Sequence, residues 1–282
     1  MLDMLLFVLI LLFIVILWVM IYDSNRFVVV RHQVRDRRIG GRIRVVFLSD
    51  LHNRQFGKNN AELLKAIEDA QPDAVLVGGD MINGKPGEKL EGAVELLRAL
   101  KEKYPVYYAN GNHEHRIKLY PGTYGDAAER YGKALAELGI EPLVNCHVQL
   151  PGVNLTIYGS EIDKYYYKRF TVPEMKPDYL PDLLGRPRPE TYTVLLAHNP
   201  DYFSRYAQWG ADLVLSGHTH GGQLFPFHRF GEWLGMDAKI YGLERRENTD
   251  FIVTSGISDW TIQFKTGCRS EYVVVDVLGT EP

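Results

Sequence analysis

Eight side chains able to hold a metal or move a proton stand just after apolar runs. Ile43–Leu48 leads into Ser49-Asp50-Leu51-His52, and Ala74–Val77 into Gly78-Gly79-Asp80. Val106–Ala109 leads into Asn110-Gly111-Asn112-His113-Glu114, Thr193–Ala197 into His198, and Asp212–Leu215 into Ser216-Gly217-His218-Thr219-His220. If the five ends converge, two aspartates, five histidines and one asparagine share a cleft. One histidine after a strand is usually a surface or hydrogen-bonded residue. Five of the nine histidines at glycine-flanked strand ends point instead to a ligand set, because glycine lets the backbone turn tightly beside a ligand. Mixed imidazole and carboxylate donors suit Mn, Fe, Zn or Co. Eight groups exceed the three or four that one catalytic ion needs, so two ions sharing a carboxylate account for the surplus. Such a pair activates water at neutral pH and clamps the oxygens of an in-line displacement at phosphorus.

The elements that must position these residues alternate. Strand-like Ile43–Leu48, Ala74–Val77 and Val106–Ala109 are separated by helical periodicity over Asn60–Ala70 and Glu88–Lys103, with a further helix over Asp126–Leu138. This βαβα order predicts an α/β layer structure with a partly parallel sheet, whose ligands lie beyond the carboxyl ends of its strands. After residue 147 strands dominate (Val153–Tyr158, Thr193–Ala197, Asp212–Leu215, Phe251–Thr254, Tyr272–Val277), with one helix over Asp201–Trp209, which predicts a second sheet. Ile162–Glu190 and the aromatic Leu224–Ile240 are expected to be long loops.

The N-terminus has a different character. Residues Met4–Tyr22 form an unbroken apolar stretch between Asp3 and Asp23, long enough as a helix to span a bilayer. A cleaved signal peptide is the rival reading, but it needs a basic start and a small-residue cleavage site, and neither is present. The stretch is therefore expected to be a single-pass anchor (4–22) ahead of a folded domain (26–282). Arg26, Arg31, Arg35, Arg37, Arg38, Arg42 and Arg44 follow it, opposed only by Asp36. Positive-inside bias puts that side, and the domain, in the cytoplasm of the cell membrane, and the arginines can touch anionic headgroups. Phe27–Val34 is strand-like, so no long linker intervenes. A net charge of -3 argues against nucleic acid as a partner. The two cysteines exclude a disulfide scaffold.

Taken together, D-x-H, G-G-D, G-N-H-E, a lone His and G-H-T-H resemble the calcineurin-like metallophosphoesterase superfamily, in order and spacing, over about residues 43–222. The resemblance implies a four-layer α/β/β/α sandwich and two divalent ions, Mn, Fe, Zn or Co. Asp50, His52 and His220 would hold one ion and Asn112, His198 and His218 the other. Asp80 would bridge the two, and His113 would stabilise the transition state or protonate the leaving oxygen. Asp50, Asp80 and a bridging hydroxide against two dications leave about +1 facing the substrate, which favours a phosphorylated small molecule or lipid over a neutral one. The chain departs from many relatives in Asn53-Arg54 after D-x-H. Arg54 is a candidate partner for a substrate phosphate, with an ordinary surface arginine as the alternative. His32, His115, His147 and His228 match no ligand position and are expected to be structural.

Other motifs are weaker. Gly79–Lys85 spells G-x-x-x-x-G-K, but Pro86 stands where a P-loop needs Ser or Thr. No G-x-S-x-G occurs, and His113-Glu114-His115 is not H-E-x-x-H. Within the superfamily the chain is similar to a membrane-anchored bacterial phosphodiesterase branch, which implies hydrolysis of phosphodiester or pyrophosphate bonds, including those of a lipid precursor such as UDP-2,3-diacylglucosamine. The alternatives are a phosphodiesterase of soluble substrates, a protein phosphatase on the same core, or a non-catalytic scaffold. The scaffold is disfavoured because every ligand position is filled.

Overall fold

The computed structural model describes residues 2–168, 171–222, 241–258 and 269–280. The aromatic segment 224–240 lies outside the described residues. The chain opens with α1 (Leu2–Ser24); within it, Asp3–Tyr22 is long and apolar enough to cross a membrane, and none of it is buried against the body.

Among the described residues the body contains two mixed sheets. The first has the order β1 (Phe27–Asp36), β11 (Ser270–Gly279), β2 (Arg42–Leu48), β3 (Ala74–Val77), β4 (Val106–Tyr108). Its β2, β3 and β4 run parallel, and β11 runs antiparallel to β2. The second has the order β5 (Cys146–Gln149), β6 (Leu155–Ser160), β7 (Tyr192–Ala197), β8 (Leu213–Ser216), β10 (Thr249–Val253), β9 (Gly242–Arg246). Its β6, β7, β8 and β10 are parallel.

The central strands are apolar on both faces, and their period of two sorts side chains into three cores. In β2, Val45 and Phe47 face the second sheet while Val46 and Leu48 face helices. In β7, Tyr192, Val194 and Leu196 face the first sheet while Leu195 and Ala197 face the other way. The outer layers are α2 (Ala61–Ala70), α3 (Glu91–Lys101), α4 (Asn112–Leu119) and α6 (Ala127–Glu137) on the first sheet. On the second lie α7 (Tyr179–Leu184) and α8 (Phe203–Trp209), while the short α5 (Pro121–Tyr124) links α4 to α6. This is the expected four-layer α/β/β/α sandwich.

Two expectations need correction. Tyr272–Val277, grouped above with the second-half strands, lies in β11 of the first sheet, where Val273 pairs with Phe47; its two apolar faces find cover on both sides there. Residues 162–190 are not a plain loop: they hold a 3-10 turn (Lys164–Tyr167) and α7. G-N-H-E, which the sequence places only after its strand, opens a helix, since Asn112 begins α4.

One topological consequence bears on the site. β1 runs parallel to β11 and therefore antiparallel to β2. Phe27 pairs with Ser270, three residues before the Val273–Phe47 pair, so α1 joins the sheet at the end where β2 delivers Asp50. Phe27 packs edge-on against Phe56 at 5.1 Å, and Arg54 Nη2 donates to Asn25 Oδ1 at 3.1 Å.

Candidate metal centre

The loops after β2 and β3 are laced together by backbone hydrogen bonds that continue the sheet pairing. Asp50 N donates to Gly79 O (3.0 Å), His52 N to Asp80 O (3.0 Å) and Asn53 N to Met81 O (2.9 Å). The D-x-H and G-G-D residues are thus neighbours by construction. From the second sheet, Gly217 N donates to His198 O (3.1 Å) and His218 N to Asp50 Oδ1 and Oδ2 (both 3.2 Å). The glycines permit this approach: a Cβ on Gly217 would stand 2.2 Å from Asp50 Oδ2, and one on Gly111 would stand 2.2 Å from Asp80 Oδ1.

Three overlapping groups result: Asp50, His52 and His220; His52, Asp80 and His113; Asp80, His198 and His218. Within each group the ligand atoms lie within 4.8 Å of one another. Asp80 and His52 each belong to two groups. Nε2 of His220 lies 3.7 Å from Asp50 Oδ1, Nε2 of His198 3.1 Å from Asp80 Oδ2, and Nε2 of His113 3.7 Å from the same oxygen.

The other ring nitrogens are held from behind. Nδ1 of His52 meets Ile82 O at 3.3 Å, Nδ1 of His198 meets Gly78 O at 2.8 Å, and Nδ1 of His220 meets Ser258 O at 3.0 Å. A proton on Nδ1 bound to a carbonyl leaves the Nε2 lone pair facing inward, as in metal-binding histidines. His113 Nδ1 lies against the Asn83 carbonyl and 3.0 Å from Arg116 Nη2.

Whether these residues suit cations is tested by what the polypeptide leaves unmet. His52 Nε2 and Asn112 Oδ1 are buried with no hydrogen-bond partner among the described residues. Such atoms are costly to bury unless something else fills their valence. Burial drives the pKa of His52 and His218 down to about 3, so both imidazoles are neutral and able to ligate. Burial opposes charge at Asp80 and His198 too, but it is outweighed: His113 and then His198 hold Asp80 well below the usual carboxylate range, and Asp80 pushes His198 up. The donor set fits divalent ions of the N,O-preferring kind.

The cluster forms one side of a cavity of about 370 Å³, whose wall includes Asp80, Asn112, His113, His218 and His220. Arg54 is not among the residues lining that cavity; its guanidinium lies over the Phe56 ring at 5.5 Å and against Asn25.

A family model described as calcineurin-like phosphoesterase matches residues 43–222. The chain belongs to the calcineurin-like phosphoesterase family. It is 28% identical to an uncharacterized metallophosphoesterase of Campylobacter jejuni, over 84% of this chain and 59% of the relative. It is 31% identical to a transmembrane protein with metallophosphoesterase domain of Danio rerio, over 81% of this chain and 52% of the relative. The chain thus spans a little over half the length of these curated relatives. A solved structure titled as a phosphoesterase from E. coli aligns with a TM-score of 0.39 and 15% identity, over 82% of this chain and 87% of that one.

Several residues of this phosphoesterase site escaped motif reading. Glu114, the last letter of G-N-H-E, is no ligand; it is buried behind the cluster. Its carboxylate accepts from Asp80 N (2.8 Å), Met81 N (2.8 Å), Gly111 N (3.0 Å) and Tyr108 Oη (3.0 Å). An acidic residue two places after a predicted ligand was the only signal. The Ser255–Ser258 loop after β10 had none: Ser258 O holds His220, and Ser258 N donates to Asp50 O at 2.9 Å. His115, expected to be structural, lines the cavity with Lys164, Tyr167 and Lys168.

Proposed function

We propose that this protein is a membrane-anchored phosphohydrolase that uses two divalent ions. The observation that carries the reading is the overlap of the ligand groups at Asp80: one carboxylate belongs both with His52 and with His198 and His218. One ion would be held by Asp50, His52, His220 and Asp80, the other by Asp80, Asn112, His198 and His218. Ions bound there supply Lewis-acid polarisation of a phosphoryl oxygen and a low-pKa water as nucleophile. His113, with Nδ1 held against the Asn83 carbonyl, would give the leaving oxygen a proton from Nε2, the nitrogen facing Asp80 and the cavity. Burial of the ligands excludes bulk water and strengthens each interaction with the phosphoryl group.

The substrate in this reading bears a phosphodiester or pyrophosphate bond and resides in a bilayer, as in a lipid precursor of the UDP-2,3-diacylglucosamine type. Support comes from α1 joining the first sheet at the ligand end, with Asn25 bonded to Arg54 two residues past His52. A bilayer crossed by residues 4–22 then lies beside the mouth of the body (26–282), on the cytoplasmic face that the arginine excess favours.

The test is metal analysis alongside turnover. Full-length protein in detergent should take up two equivalents of Mn²⁺ and hydrolyse bis(4-nitrophenyl) phosphate. His113→Ala should retain both ions and lose about 10²- to 10⁴-fold in kcat, the usual contribution of a positioned proton donor. Uptake of a single ion, or loss of metal in His113→Ala, refutes the assignment.

A further inference from the structure

Part of the cavity wall carries charge that the metal ligands leave unused. Lys164 and Lys168 flank the 3-10 turn after β6, and both line the cavity that holds Asp80, His113 and His218. The turn is firmly docked. Asp163 Oδ1 accepts from Tyr165 N at 2.7 Å, and Tyr166 O accepts from Asn199 Nδ2 at 3.0 Å and from Tyr202 Oη at 3.2 Å. The Tyr166 ring packs against Tyr179 and Tyr202 at 4.7 and 5.3 Å. Tyr167 meets His218 edge-on at 5.3 Å, so the turn touches a predicted ligand.

Neither ammonium has a carboxylate partner among the described residues; each rests over a tyrosine ring, Lys164 on Tyr120 at 4.4 Å and Lys168 on Tyr165 at 4.1 Å. Nearby Lys118, outside the cavity, is neutralised by Glu161 at 2.8 Å. Arg116 adds a third cation to the same wall, its Nη2 spent on the carbonyls of Asn83 and Gly84. Like charges gathered in one concave wall repel one another unless an anion joins them, and a cleft focuses their field. Ions at the ligand end would already neutralise the attacked phosphoryl group, which leaves these lysines available to a further anion.

We infer that Lys164 and Lys168 form a second-anion subsite, and that the substrate carries a further phosphoryl group within the same cavity as the one attacked. This rests on the phosphohydrolase reading and narrows it. In the reaction, water oxygen bonds to the attacked phosphorus, the bond to the leaving oxygen breaks, and that oxygen takes the proton. The second phosphoryl group stays intact and only anchors. It is either joined to the first, as in a diphosphate diester, or separate on the same molecule.

The experiment compares three substrates with Mn²⁺-loaded full-length protein: bis(4-nitrophenyl) phosphate, a 5′–5′ dinucleoside diphosphate, and a 4-nitrophenyl diester bearing a separate phosphomonoester. The double variant Lys164→Gln, Lys168→Gln should raise KM about tenfold on at least one two-phosphate substrate, the effect of two partly exposed ion pairs. Its kcat should stay within about twofold, and bis(4-nitrophenyl) phosphate should be unaffected. Whichever two-phosphate substrate responds tells joined from separate groups. Lys118→Gln should alter none of the three. Equal effects on all substrates, or no effect on either two-phosphate substrate, overturns the subsite while leaving the hydrolase standing. Failure of the wild-type protein to turn over any of them overturns both.

Discussion

Glu114→Gln isolates the support beneath the site from the site itself. The carboxylate divides its acceptors: Oε2 takes the Asp80 and Gly111 amides, while Oε1 takes the Met81 amide and the Tyr108 hydroxyl. Glutamine keeps the shape but turns one oxygen into a donor. An NH₂ at Oε2 would oppose two backbone N–H groups. At Oε1 it would oppose one strong N–H, since the Tyr108 hydroxyl can rotate to accept, so this orientation is preferred. The Met81 amide is then left unmet at a cost of about 1–3 kcal/mol. The remaining bonds lose their charge assistance, which made them roughly twice as strong. Against this, burial, with Asp80 adding to it, pushes the Glu114 pKa up, so removing the charge relieves part of the desolvation cost.

The net is about 2 kcal/mol, or a fall in Tm of roughly 4–8 °C for a chain of this size. Thermal unfolding in detergent with EDTA measures that fall without metal contributing. A parallel Mn²⁺ titration should show affinity reduced about 10- to 100-fold, the usual effect of losing support behind a ligand, because Asp80 is bonded to Glu114 through its own amide. A Tm within 1 °C of wild type and unchanged Mn²⁺ affinity would refute the view that this buried carboxylate sets the Asp80 loop.

Gly217→Ala should be more damaging: its Cβ would stand 2.2 Å from Asp50 Oδ2 and 2.3 Å from Ser49 Oγ, and the forced shift should cost at least about 3 kcal/mol, seen as loss of soluble protein or of Mn²⁺ binding together with a lowered Tm. Asp80→Ala should abolish turnover and metal uptake together, read by elemental analysis of the purified protein. Asp276 tests acid stability away from the site. Arg44 bonds it through Nε at 2.7 Å and Nη2 at 3.0 Å, and that pairing holds its pKa below the ordinary value. A depressed folded-state pKa gives stability that is present above the unfolded value, near 4, and fades as pH falls through the folded one. Asp276→Asn should therefore lose about 1 kcal/mol in urea unfolding at pH 6, and the loss should shrink progressively as pH is lowered below about 4; a loss that does not change as the pH is lowered to about 1 would refute the ion-pair account.

How much of this was legible in the sequence follows from what each signal depends on. β2, β3 and β7 were visible because strands buried on both faces are continuous apolar runs, and the predicted ligands stood out because they follow such runs. The partner sheet of β11 was not, since its apolar pattern satisfies either sheet and only long-range pairing decides. α4 was hidden because Asn112-His113-Glu114-His115 has no apolar periodicity; tertiary contacts and the Glu114 bond to Gly111 N make that helix start. Glu114 and Ser258 act through backbone amides and carbonyls of other loops, contacts that no spacing rule encodes. Arg54 looked like a phosphate ligand by type and position, but the side chain lies toward the end of α1, a neighbour that sequence distance conceals.

The backbone at the ligands explains why these residue types stand there. Of eleven described non-glycine residues with positive φ, five are predicted ligands: Asp50 (57°), His52 (48°), Asp80 (53°), His218 (68°) and His220 (49°). Extended backbone aims successive side chains at alternate faces of the sheet, roughly perpendicular to it. To bring residues just past a strand's end together at a point shared with the facing sheet, the chain must leave the extended conformation within a residue or two, and the left-handed region does so. For L-residues this costs about 1–2 kcal/mol each, least for Asp, Asn and His, so the five together cost an amount comparable to a domain's whole stability. The fold can hold them because both sheets are packed on two faces and the loops are cross-bonded to one another, with Glu114 beneath and Asp50 receiving the His218 amide. A chain without further use for that geometry would gain stability by relaxing it, so the strain is concentrated where ions and substrate would meet, and the rigid double sheet is what makes the concentration possible.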